Sequence, residues 1–129
     1  MKTYNLGDRQ PIWIALSEFY LDTELDDSDY QKIAQVILKS PFKLEDVKII
    51  NKYEIFPVLR NNLGSVAGSW SGFDETSLVN AIISKIDSQT KIDKLGIEIS
   101  YFLNSWMTSK NWRKLEKTYN LLSSKPIVE

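Results

Sequence analysis

Residues 27–41 read DSDYQKIAQVILKSP, and this stretch decides the fold class. Tyr30, Ile33, Ala34, Ile37 and Leu38 recur every three or four positions, the interval that lines side chains along one face of an α-helix. Asp27 or Ser28 can accept hydrogen bonds from the first free amides of that helix. At Ser40-Pro41 the proline ring drives the residue before it out of helical geometry. The stretch therefore predicts one amphipathic helix with its own start and stop.

The same period continues on both sides. Upstream, Ile12, Trp13, Leu16, Phe19 and Tyr20 predict a first helix from Pro11 to Leu21, stopped near Asp22 by LDTELDDSD, whose short polar side chains compete for backbone hydrogen bonds. Downstream, Leu44, Val47, Ile50, Tyr53, Ile55, Phe56 and Leu59 fit a helix, with a kink or break expected between Tyr53 and Pro57 because proline lacks the interior donor. Asn61, Asn62 and the glycine-punctuated GSVAGSWSGF read as an ordered loop. Asp74 caps a helix carrying Leu78, Val79, Ile82, Ile83 and Ile86, which fades around Ser88 to Thr90. Two closing helices are expected, one on Ile92, Leu95, Ile99, Phe102, Leu103 and Trp106, the other on Trp112, Leu115, Tyr119 and Leu122, with Ser109 as a cap between them. IEISYFL (residues 97–103) also fits a short strand, but no hairpin dipeptide joins alternating runs. The expectation is an all-α fold: a single irregular bundle of about six helices with a glycine-rich ordered loop, one domain over residues 1–129.

Composition excludes several kinds of chemistry. There is no cysteine and no histidine, which removes disulfides, thiolate catalysis, the usual zinc ligands and the commonest general base near neutral pH. The formal charge of −1 gives no general attraction for nucleic acid or an acidic membrane surface. Its distribution is uneven: residues 1–80 hold twelve carboxylates against eight basic side chains, residues 81–129 five against eight. No signal-like or membrane-spanning apolar run is visible, so a soluble, cytoplasmic protein is expected.

Three clusters can carry function. Asp22, Glu24, Asp26, Asp27 and Asp29 form an acidic turn; hard cations take such oxygen ligands, but the glycine and the distant glutamate of a calcium loop are missing. The turn reads first as a capped interhelical connection, and next as a patch that receives basic groups from a partner. Gly64, Gly68 and Gly72 lack the lysine and the serine or threonine of a phosphate-binding loop. Lys110, Arg113, Lys114 and Lys117 interleave with Trp106, Trp112 and Tyr119, yet helical spacing assigns the cations to solvent and most of the aromatics to the core.

RQPIWIALSEFYLDTEL, YEIFPVLRNNL and VAGSWSGFDETSLV together resemble an uncharacterised family of small bacterial proteins with LDTEL and VAGxWxGFD motifs. The matching positions are Trp13, Leu16, Ser17, Leu21 to Leu25, Glu54, Pro57, Asn62, Ala67, Gly68, Trp70, Gly72 and Phe73, across about the first two-thirds of the chain. Ser69 stands where that family usually has an acidic residue. More loosely, the chain is similar to immunity proteins of contact-dependent growth inhibition, which bind and neutralise a toxin domain. This resemblance implies a non-enzymatic inhibitor without cofactor or metal, whose partner is a cognate toxin domain rather than nucleic acid or membrane. Glu18, Asp22, Glu24, Asp26, Asp27 and Asp29 are then the expected partner contacts. Two alternatives stay open: a carboxylate-based, metal-dependent enzyme, and an adaptor for a protein unrelated to toxins.

Overall fold

The computed structural model describes residues 6–20, 24–60 and 74–124, and all regular structure among them is helical. The glycine-rich loop, Asp22 and both chain ends lie outside the described residues.

α1 (Leu6–Leu16) begins ahead of the expected Pro11, which sits inside it. Proline there withholds a single bond, to the carbonyl of Gly7 in the first turn, so the helix survives. The chain then tightens into a 3-10 turn (Ser17–Tyr20). In α2 (Asp27–Lys39) the cap is Asp26, one residue before the expected pair. Asp26 Oδ1 accepts from the Asp29 amide at 3.0 Å, and Asp29 Oδ2 accepts from the Asp26 amide at 2.9 Å. The exchange satisfies two donors, which favours Asp26 over its neighbours. The helix ends at Ser40 as expected: its hydroxyl donates to the Ile37 carbonyl and accepts from the Phe42 amide.

The apolar run 44–59 is helical throughout, but not uniformly α. α3 (Leu44–Ile50) passes into a π-helical segment (Asn51–Ile55) and then into α4 (Phe56–Leu59). The expected interruption before Pro57 takes this form. The Phe56 amide donates to the Asn51 carbonyl, five residues back. Pro57 has no amide for the Tyr53 carbonyl, its partner in a regular α-helix. Gln89 Nε2 donates to that carbonyl at 2.9 Å instead.

α5 (Glu75–Ser88) starts at Asp74, whose Oδ2 accepts from the Ser77 amide at 2.9 Å. α6 (Lys91–Asn104) starts at a reciprocal Thr90–Asp93 box. IEISYFL lies wholly within α6, so the strand alternative is corrected: the capping box and the neighbouring helix decide in favour of helix. A 3-10 turn (Ser105–Thr108) leads into α7 (Ser109–Ser124).

Buried side chains from all these helices form one cluster, with Trp13, Tyr20, Ile37, Phe56, Ile82 and Leu115 among the most enclosed. α7 lies along α2, and Phe19 meets the Trp112 ring edge-on at 5.3 Å. Leu115 is buried, with Trp112, Tyr119 and Leu122 packed beside it, as the helical spacing predicts. On α6 the expected apolar face is reversed. Ile97 is buried and Tyr101 half-buried, while Ile92, Leu95, Ile99, Phe102, Leu103 and the following Trp106 are exposed. Ile97 and Tyr101 lie about 180° round the helix from that stripe, since each residue advances by about 100°; α6 is docked against the π segment through this narrower side. Among the described residues no helix is long and apolar enough to cross a membrane.

Candidate functional site

α1 and α2 pack against each other but leave a cleft of about 430 Å³, lined by Pro11, Ile14, Ala15, Glu18, Asp29, Lys32, Ile33 and Val36. With Pro11, Ile14 and Ala15, Glu18 completes a stripe spaced i, i+3, i+4, i+7 on one side of this segment, and that stripe faces the cleft. Asp29 reaches it from the first turn of α2, and Lys32 from one turn further along.

Burial raises the pKa of Glu18, the neighbouring Asp29 carboxylate raises it further, and Lys32 partly offsets both. Among the described residues nothing hydrogen-bonds to the Glu18 carboxylate or forms an ion pair with it. Two carboxylates against one ammonium leave the cleft net acidic, with apolar walls. Such a pocket suits a lysine or arginine side chain, whose methylenes cover apolar surface while the charged head meets the carboxylates.

The remaining acidic residues separate by task. The Asp26 carboxyl is engaged as the α2 cap, and the hydrogen bond from the Asp29 amide is the main cause of its lowered pKa. Asp27 is exposed in the first turn of α2. Glu24 accepts from Lys110 Nζ at 3.3 Å in an exposed pair, an arrangement of little energetic weight. Asp22 falls outside the described residues. Of the six expected contacts, Glu18 and Asp29 are thus the two drawn into one cleft. Among the described residues no three carboxylates gather as a metal-ligand set.

Lys110, Arg113, Lys114 and Lys117 are exposed on α7. Lys110 is paired with Glu24, and Lys114 lies 6.0 Å from the centre of the Tyr30 ring, so part of this face is tied to α2.

A buried polar system was not legible as such from the sequence. Glu54, in the π segment, accepts from Trp13 Nε1 at 2.8 Å and pairs with Arg9. Burial is the largest influence on its carboxyl and raises the pKa against the Trp13 and Arg9 contacts. Asn51 is fully buried; its Oδ1 accepts from the Tyr20 hydroxyl at 2.6 Å and its Nδ2 donates to the Tyr101 hydroxyl at 3.4 Å. Desolvation pushes the Tyr20 hydroxyl pKa up. These bonds tie α1, the following 3-10 turn and α6 to the π segment and so fix the register of the wall carrying Glu18. The one available signal was polar Asn51 and Glu54 within an otherwise apolar helical run ending at Pro57.

Comparison with protein families gives a match, over residues 7–118, to the model described as Domain of unknown function (DUF7079). The match reaches past the first two-thirds over which the sequence motifs run. No curated protein and no solved structure matches the chain.

Proposed function

The chain belongs to the DUF7079 family, and for this member we propose a protein-binding role of the immunity type: cytoplasmic neutralisation of a cognate bacterial toxin domain by occlusion. The supporting observation is the Glu18 carboxylate, held in an apolar-walled cleft beside Asp29 without a bonding partner among the described residues. A carboxylate whose surroundings raise its pKa costs folding stability at neutral pH, and such groups concentrate where function retains them. Its complement is a basic side chain on a partner protein. The acidic rim at Glu24, Asp26, Asp27 and Asp29, with Asp22 next in sequence, would speed the encounter and disfavour acidic partners.

In this reading the toxin contributes one lysine or arginine anchor to the cleft, and the surrounding contact excludes solvent and substrate from the toxin. The test is affinity capture of the tagged full chain from its native cells, alongside a Glu18→Lys, Asp29→Lys double variant. A toxin domain retained by the native chain after a moderate salt wash and lost from the variant is the expected result. Capture of an unrelated protein would move the assignment to an adaptor, and equal retention of any partner by both forms would remove the cleft as its docking point.

A further inference from the structure

We propose that the outer face of α6 is the self-association surface of this protein, packing antiparallel against α6 of a second copy. Helix α6 is apolar on two opposite sides. Ile97 and Tyr101 face the core, whereas Ile92, Leu95, Ile99, Phe102, Leu103 and Trp106 face solvent, with Ile92 and Phe102 both 82% exposed. A helix that is apolar on opposite sides is normally buried on both. Each of these six residues is more than half exposed, and together they make one apolar stripe along the length of α6, larger than the scattered single apolar residues of an ordinary surface and of the kind that marks an interaction site.

Two further observations point to a copy of the same chain. The exposed stripe itself carries no charged side chain, and the whole chain carries only −1, so like meets like with little repulsion. Gly96 also borders the stripe in mid-helix, a position that weakens a helix, yet a Cβ built there meets no atom within 4 Å. Among the described residues nothing requires that glycine; close approach of another helix would. A two-fold axis near Ile99 places Leu103 of one copy across from Gly96 of the other and Leu95 across from Phe102. Large side chains then oppose the gap on the small-residue flank, and the face is complementary to itself, as a two-fold interface must be.

The experiment is sedimentation equilibrium of the full chain from micromolar to hundreds of micromolar concentration. The expected result is twice the 14.9 kDa chain mass for the native protein, and a monomer for Phe102→Asp, Leu103→Asp with an unchanged far-ultraviolet spectrum. Because the chain has no cysteine, single-cysteine variants report the register independently of any folding defect. Under mild oxidation Ile99→Cys should cross-link to itself, whereas Ile92→Cys should not, being far from its own copy in an antiparallel pair. A native chain that stays monomeric overturns the proposal, as does a dimer that cross-links at Ile92 or survives both aspartates. None of these outcomes depends on the α1–α2 cleft, so the dimer and the toxin reading stand or fall separately.

Discussion

Replacing Gln89 with alanine tests why a π segment is tolerated in the middle of this fold. Pro57 leaves the Tyr53 carbonyl without its usual main-chain donor, and Gln89 Nε2 fills that place at 2.9 Å. Gln89→Ala removes the side-chain donor while the Gln89 amide keeps its own bond to the Ile86 carbonyl. Stranding a partly buried carbonyl should cost about 1–2 kcal/mol. For a chain of this length that is a fall of roughly 4–7 °C in melting temperature. In a Pro57→Ala background the residue-57 amide can serve Tyr53, so the same Gln89→Ala change should cost less than about 0.5 kcal/mol. Urea unfolding followed by tryptophan fluorescence on the four proteins of the cycle measures both costs. Equal losses in the two backgrounds would refute the link between the missing proline donor and Gln89.

Two further predictions follow from the site and the core. Glu18→Gln should raise the melting temperature at pH 7. A carboxyl with a raised folded pKa binds its proton more tightly in the native state, so its stabilising effect is present in acid and is lost as pH rises through the folded value. The variant's advantage should therefore fade as the pH is lowered through the carboxylate range, and a native–variant difference that does not change with pH would refute this. Tyr20→Phe deletes the hydroxyl that donates to buried Asn51 and should cost about 1–3 kcal/mol in chemical denaturation. A neutral result would mean that the Asn51 oxygen finds another donor.

Local signals were enough in three places: Pro41 marked the α2 stop at Ser40, a capping side chain marked the α5 start at Asp74, and helical period marked the inward side of α7. Period failed on α6, where apolar residues occupy opposite sides and only packing against the π segment selects Ile97 and Tyr101. Pro11 was misread as a boundary because its cost depends on which carbonyl it deprives, and that is set by where the helix begins. In the acidic turn, sequence proximity grouped Asp26 with Asp29, but cap geometry commits the Asp26 carboxylate locally while Asp29 also faces the cleft. Glu18 shares the helical face of Pro11, Ile14 and Ala15, but the cleft along that face is made by packing against α2, which helical period alone does not show. The burial of Asn51 and Glu54 was not legible, since it depends on partners supplied by α1, the following turn and α6.

The central claim is that a partner protein docks a basic side chain between α1 and α2. Amide hydrogen exchange of the full chain, free and bound to the captured partner, tests it most directly. New protection should concentrate on residues 14–20 and 29–36, with the exchange of the free protein restored when the partner's anchoring lysine or arginine is replaced by alanine. Protection confined to other helices, with the cleft exchanging as in the free protein, would contradict it.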